Sequence, residues 1–131
     1  MILLDTNIIA AFLNGNELVP KRILEAVDQI ALSALVVAEL NYGAKVSSKT
    51  KENLERLNRL LEIIRVVPFD IECAKAFGTI KSRLRSISRP TGEMDALIAA
   101  TAIANNAILV TMNKKHFENI ENLNVEIWPT K

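Results

Sequence analysis

Short, apolar, β-rich runs alternate with longer helical patterns along the whole chain. Five runs predict strands: "ILL" at 2–4, "IAL" at 30–32, "IRVVPF" at 64–69, "AILVT" at 107–111 and "VEIW" at 125–128. The segments between them predict helices at 7–14, 18–29, 34–46, 51–64, 71–86 and 95–106. Strands joined by helices of this length form crossover units. The sequence therefore predicts one α/β domain over 1–131, with a central, mostly parallel sheet and helices on both faces.

The composition excludes several classes of protein. With 131 residues, the chain is long enough to bury one hydrophobic core without disulfides or structural zinc. Its only cysteine, Cys73, cannot pair within the chain, which favours a reducing, cytoplasmic compartment. The apolar stretches are too short for a membrane span. A net charge of +1 neither requires nor excludes a polyanionic partner, so any contact with nucleic acid must come from a local patch.

Three acidic residues stand at the expected edge of the core. The first strand runs directly into Asp5, and the carboxyl ends of parallel strands are where such sheets bind ligands. Glu39 lies three or four residues from Leu35 and Tyr42, so helical spacing predicts that its carboxylate shares an apolar, inward-facing side. Asp95 begins a helix that is apolar on nearly all sides.

Each acid taken alone also has a structural interpretation. Asp5 can cap the following helix, Glu39 can be partly exposed, and Asp95 can interact with the helix dipole in the first turn. Taken together they favour a shared site, because unpaired buried carboxylates are costly and no Lys or Arg lies within the three motifs. A hard divalent cation, Mg²⁺ or Mn²⁺, suits an all-carboxylate site.

The motifs "LLDTNIIAAFL", "LSALVVAELNYGA", "GEMDALIAATAIANNAILVTMNKKHF" and "NVEIW" carry a family resemblance. In order and separation they resemble the blocks of PIN-domain ribonucleases, specifically VapC-type toxins of toxin–antitoxin pairs. The resemblance implies a PIN-like three-layer α/β/α fold and Mg²⁺- or Mn²⁺-dependent endonucleolytic hydrolysis of RNA phosphodiester bonds by metal-activated water. It also implies a homodimer, inhibition by a VapB-like antitoxin, and contact with DNA only indirectly, through that antitoxin. Asp5, Glu39 and Asp95 match the family's catalytic, metal-binding acids.

The sequence departs from the family pattern in the loop after "LVT". Many relatives carry a fourth acid there, at positions that are Asn113 and His116 in this chain. Asn113 can offer a neutral carbonyl oxygen, or it can be a simple turn residue. The departure puts a stable second metal site in doubt. Thr6 and Thr111 are expected to support the site by orienting carboxylates or water.

Cationic residues flank the expected acidic centre. "KSRLRSISRP" holds four of them without an intervening acid, just before the loop that leads to Asp95, and "KKHF" lies beside the other loop of the expected site. The predicted RNA-binding residues are Arg83, Arg85, Arg89, Lys114, Lys115 and His116. The alternative is a solvated helix face, which runs of charge usually form.

Two rival functions are compatible with an α/β chain of this size. A phosphoacceptor receiver domain would need paired acids after the first strand and an isolated acceptor Asp after a middle strand. The only candidate acceptor here, Asp70 in "VVPFD", is better explained as a helix cap. The stronger rival is a catalytically weak PIN module that acts mainly as an antitoxin-binding co-repressor, which the missing fourth acid favours. Mg²⁺-dependent cleavage of RNA distinguishes this rival from an active toxin.

Overall fold

A five-stranded parallel sheet forms the centre of the fold. The computed structural model describes residues 1–14, 18–89 and 91–128, with the backbone alone at 18–20. The strands are β1 (Ile2–Leu4), β2 (Ile30–Ser33), β3 (Arg65–Val67), β4 (Ile108–Thr111) and β5 (Asn124–Ile127). They lie in the order β3-β2-β1-β4-β5, and the pairings between them are all parallel. The predicted fold class is confirmed.

Six helices connect the strands within the described residues. They are α1 (Thr6–Leu13), α2 (Leu18–Glu25), α3 (Ala34–Val46), α4 (Thr50–Leu61), α5 (Ile71–Ser86) and α6 (Glu93–Ala104), with short 3₁₀ turns at Val27–Gln29 and Lys114–Phe117. The helix predicted over 18–29 therefore ends at Glu25. The strand predicted over 64–69 is limited to Arg65–Val67, since Pro68 has no N–H to donate to a sheet ladder.

Local capping explains where the helices begin and end. Ser33 closes β2 and accepts a hydrogen bond from the Val36 N–H at 3.1 Å, which starts α3. Asp70 accepts from the Cys73 N–H at 3.1 Å and starts α5, so it is a helix cap as predicted. Asn106 adopts a left-handed φ of 50° after the last turn of α6, a conformation that asparagine tolerates better than most residues. The chain then turns directly into β4.

The three inner strands and α6 contribute fully buried residues to the core. Leu4, Leu32 and Leu109 on neighbouring strands are fully buried. In α6 the run from Ile98 to Ala102 is also buried, which confirms a helix that is covered on nearly all sides. None of the helices in the described part of the chain has the length and hydropathy needed to cross a membrane.

The strand order determines where a ligand site can form. The chain moves outward from β1 through β2 to β3, then crosses back to place β4 on the other side of β1. This reversal opens a crevice between the carboxyl ends of β1 and β4, where ligands bind in open parallel sheets. Asp5 and Thr111 stand at these two strand ends.

The Ser33 cap should contribute measurably to stability. Replacing Ser33 with Ala removes the acceptor for a buried N–H and should lower the free energy of unfolding by about 1 kcal/mol. Urea unfolding checks this value, with Ser48→Ala at an exposed turn as the control. Equal midpoints for the two variants would contradict a stabilising role for this cap.

Candidate metal centre at the carboxyl edge of the sheet

Asp5 connects the two central strands to the first helix. Its backbone N–H donates to the Val110 carbonyl at 2.8 Å, which extends the pairing of β1 with β4. Its carboxylate accepts from the Thr6 N–H at 2.8 Å through Oδ1 and from the Thr111 hydroxyl at 2.7 Å through Oδ2. Asp5 is therefore the cap of α1 and also a buried acid facing the crevice; the two interpretations of this residue are compatible.

Thr6 brings Glu39 to the same place. The Thr6 hydroxyl donates to Glu39 Oε1 at 2.5 Å, while its N–H binds Asp5. Thr6 thus joins the carboxylate of Asp5, which follows β1, to that of Glu39 on α3. The prediction that Tyr42 shares an inward-facing side with Glu39 is wrong, because the Tyr42 side chain is 69% exposed. Helical spacing puts the two residues near each other, but no other element in the described part of the chain covers α3 at Tyr42.

Asn7 is a site-forming residue to which sequence reasoning assigned no role. Its side-chain amide donates to the Thr111 hydroxyl at 3.3 Å and its carbonyl accepts from the Met112 N–H at 3.2 Å. The Thr111 hydroxyl also accepts from the Asn113 N–H at 3.1 Å. Asn7 and Thr111 therefore hold the loop after β4 against α1. The only sequence signal was the position of Asn7 in "DTN", two residues after the acid.

Asp95 completes the acidic cluster from the first turn of α6. Burial raises the pKa of this carboxyl; the positive charge of His116 acts to lower it, and the negative charges of Asp5 and Glu39 raise it further. The charges of all three acids thus act on one another. Among the ion pairs in the described ranges, none joins Asp5 or Glu39 to a Lys or Arg.

His116 contacts Asp95 directly. Its Nδ1 lies 3.4 Å from Asp95 Oδ2, and its Nε2 lies 2.9 Å from the side-chain nitrogen of Asn113. The Asn113 side chain and the Asp95 carboxylate therefore face opposite ring nitrogens of His116. Asn113 and His116, which occupy the positions where many relatives carry a fourth acid, therefore form a chain of polar contacts that ends at Asp95.

The predicted RNA-binding residues do not form one patch. Arg83 pairs with Glu121 at 3.0 Å, away from Arg85 and Arg89, which line a separate cleft beside α5. Lys114 and Lys115 are exposed on the 3₁₀ turn that also carries His116. Arg83 thus differs from the other predicted RNA-binding residues because it pairs with an acid that is distant in sequence; RNA binding by the set stays a prediction.

The donor chemistry of the cluster fits a hard divalent cation. It offers carboxylate oxygens from three elements and a neutral amide from Asn113, which are the ligand types that Mg²⁺ and Mn²⁺ prefer. As they stand, no three His, Cys, Asp or Glu side chains of the described residues already surround a point where an ion would sit. Glu39 and Asp95 are only half-buried, so their side chains have room to turn toward a shared ion.

The sheet order and the acidic cluster together define a PIN-type α/β/α domain. The PIN domain model matches residues 2–123. Ribonuclease VapC2 of Rickettsia felis is 36% identical, with 96% of each chain covered, and the tRNA(fMet)-specific endonuclease VapC of Shigella flexneri is 32% identical at the same coverage. The chain belongs to the PIN-domain family, and within it to the VapC ribonucleases.

A solved structure supports this assignment. The structure of VapBC2 from Rickettsia felis, bound to a DNA fragment from its promoter, aligns with a TM-score of 0.90 at 34% identity. The alignment covers 98% of this chain and all of that one. The close overlap extends the family match from the sequence to the whole described architecture.

The raised pKa of Asp95 predicts a pH-dependent effect on stability. A carboxyl whose pKa is raised on folding stabilises the protein below its unfolded pKa, and that contribution is lost as the pH rises through the folded value. In the Asp95→Asn variant the side chain at position 95 is a neutral amide, so it does not acquire a negative charge as the pH rises. The metal-free variant should therefore gain thermal stability relative to wild type as the pH rises from about 3.5 to about 5.5.

Melting temperatures measured across that range in the presence of a chelator check this effect. Glu118→Gln, which removes an exposed carboxylate outside the cluster, is the control and should show a smaller pH-dependent difference from wild type. A difference between Asp95→Asn and wild type that stays constant with pH would contradict a pKa of Asp95 that is raised on folding.

Proposed function

We propose that this chain is a Mg²⁺- or Mn²⁺-dependent endoribonuclease that acts as the toxin of a type II toxin–antitoxin pair. The observation that carries the proposal is the convergence of Asp5, Glu39 and Asp95, for which the described residues supply His116 as the sole cationic partner. Such a cluster is electrostatically unfavourable in the absence of a cation. Membership of the VapC ribonucleases supports the same activity.

Each residue of the centre has a distinct part in the proposed reaction. A bound Mg²⁺ or Mn²⁺ would lower the pKa of water and offset the charge that develops on the phosphate. Asp5 and Glu39 would bind the ion in orientations maintained by Thr111 and Thr6. Asp95 would be the third ligand, and His116 favours its deprotonated form.

Asn113 and His116 would occupy the place of the fourth acid that many relatives carry, and would contribute polar contacts without a negative charge. The side-chain nitrogen of Asn113 is directed at His116, which leaves its carbonyl oxygen to bind water of the ion. His116 is about half exposed and can also approach an RNA phosphate. With a neutral donor at position 113, we expect the site to hold one cation well and a second one poorly.

The proposed substrate is RNA, held mainly through its phosphates. The cations at Arg85, Arg89, Lys114 and Lys115 are exposed near the two loops that border the acidic centre. Aromatic residues make up only 5% of the chain, so base stacking offers little sequence recognition. Structured RNA such as tRNA is the first substrate to test, since the Shigella flexneri relative is named as specific for tRNA(fMet).

The proposed partners are a VapB-like antitoxin and a second copy of the chain. A groove of 310 Å³ between α1, α3 and α4 begins at Thr6 and Glu39 and continues over Leu40 and Leu57. An antitoxin segment that lay there would cover the entrance to the acidic centre. Tyr42 is exposed on α3 and is available for a homodimer contact. DNA would be reached only through the antitoxin; the VapBC2 complex of Rickettsia felis is itself bound to a DNA fragment from its promoter.

The second candidate is a catalytically weak PIN module that acts as a co-repressor with its antitoxin. The presence of Asn113 in place of an acid favours it, because a less negative site binds its cation less tightly. An active nuclease degrades RNA with Mg²⁺ and stops in chelator, whereas a co-repressor would retain antitoxin binding and show no metal-dependent cleavage.

Metal binding should depend on Asp95. Loss of outer-sphere partners weakens metal sites by about ten- to hundredfold, so loss of a direct ligand in Asp95→Asn should weaken Mn²⁺ binding by at least about a hundredfold. It should also abolish Mg²⁺-dependent cleavage of RNA. Calorimetric titration with Mn²⁺ measures the first effect, with Glu118→Gln as the matched control. Equal Mn²⁺ affinity in Asp95→Asn and wild type would exclude this metal site.

The charge at position 113 should set the metal requirement. Asn113→Asp adds a negative charge without added bulk and should strengthen Mg²⁺ binding by about 1 to 3 kcal/mol at an effective dielectric near 20. Cleavage should then saturate at lower Mg²⁺, whereas Asn113→Ala should need more. RNA cleavage rates measured against Mg²⁺ concentration provide the comparison. Superimposable curves for the three proteins would mean that Asn113 is only a turn residue.

A further inference from the structure

The cations of α5 are divided between two faces of the helix. Lys81 and Arg85 are four residues apart and therefore lie on the same side, where Arg89 joins them beyond the helix end. Arg83 lies on another side and pairs with Glu121 at 3.0 Å. The continuous basic run of the sequence is thus two separate surfaces, and only the first is open for a new anion.

The open surface is a cleft of 730 Å³ with cationic and hydroxyl groups along its walls. Its lining residues are Lys81, Ser82, Leu84, Arg85, Ser88, Arg89 and Thr91. Glu93 partly neutralises it by pairing with Lys81 at 2.6 Å. Arg85 and Arg89 occur in none of the ion pairs found across the described ranges, and both are exposed. The cleft therefore retains two guanidinium groups, which bind phosphate oxygens in a bidentate manner.

One end of the cleft lies against the acidic centre. Thr91 lines the cleft, and the next residue, Gly92, is so close to Asp95 that a Cβ atom at Gly92 would lie 3.6 Å from Asp95 Oδ2. Lys81 and its partner Glu93 mark the same boundary, because Glu93 precedes Asp95 by two residues on α6. A strand lying along the cleft would therefore lead directly to the third acid.

We infer that the cleft formed by Lys81, Arg85, Arg89 and the neighbouring hydroxyl groups binds the RNA backbone next to the bond that is cut. This inference rests on the proposed function. In this arrangement the cleft holds the RNA on one side of the acidic centre, and Arg83 is not part of the RNA-binding surface. Since the lining contains no aromatic side chain on which a base could stack, the cleft binds the phosphates of the RNA and not its bases. The affinity for RNA therefore depends strongly on salt concentration.

Binding of a fluorescein-labelled single-stranded RNA oligonucleotide tests the inference. Anisotropy is measured in a chelator, so that no cleavage occurs, over a series of salt concentrations. The double variant Arg85→Gln/Arg89→Gln should bind about tenfold more weakly at 0.1 M salt. Its slope of log affinity against log salt should be shallower by about 1.4, which is the loss of two phosphate contacts at about 0.7 each.

Two further variants separate the cleft from charge in general. Arg59→Gln/Arg65→Gln removes the same charge from exposed positions on α4 and at the amino end of β3, and should keep the wild-type slope. Arg83→Gln should weaken binding less than Arg85→Gln does. An unchanged slope in Arg85→Gln/Arg89→Gln, or an equal loss in Arg83→Gln, would overturn the inference.

The same measurements distinguish the inference from the proposed activity. If wild-type protein binds RNA through the cleft but cleaves nothing with Mg²⁺, the cleft stands as an RNA-binding surface and the nuclease proposal fails. If the protein cleaves RNA with Mg²⁺ while the cleft variant binds and cleaves like wild type, the nuclease proposal stands and the cleft is not the substrate surface.

Discussion

The carboxylate of Asp5 is the interaction on which the rest of the site depends. It accepts one hydrogen bond from the start of α1 and another from the end of β4, while its backbone N–H pairs with Val110. Through Thr6 the same arrangement extends to Glu39 on α3. A side chain that is needed for fold geometry therefore also belongs to the proposed metal centre, so loss of Asp5 would disturb both.

The charge balance around Asp95 illustrates how such a centre differs from a structural ion pair. Burial and two neighbouring carboxylates disfavour its charged form, and a half-exposed His116 compensates for only part of this effect. A chain selected for stability alone would replace one of these acids with a neutral or apolar residue. This charge imbalance is the reason for proposing that a bound cation is part of the functional state.

Much of this architecture could be predicted from the sequence, since it depends on local patterns. The five strands follow from short apolar runs, and the bounds of α3 and α5 follow from the caps at Ser33 and Asp70. The features that sequence reasoning missed depend on partners far away in the chain. Asn7 binds the loop after β4, and Glu121 neutralises Arg83 across 38 positions. The exposure of Tyr42 depends on whether another element packs against that part of α3. Helical periodicity shows which residues share a face of the helix but not which face is covered.

The distance along the chain between Asp5 and Thr111 has a consequence for synthesis on the ribosome. Their hydrogen bond spans 106 positions, so β4 is made well after Asp5, and Asp95 is likewise made well after Glu39. During translation β1 and α1 emerge early, but β1 must wait for its β4 neighbour before the crevice exists. A stalled or truncated nascent chain would contain Asp5 and Glu39 without an assembled centre. Whatever chemistry the centre performs therefore begins only after α6 and β4 have left the ribosome.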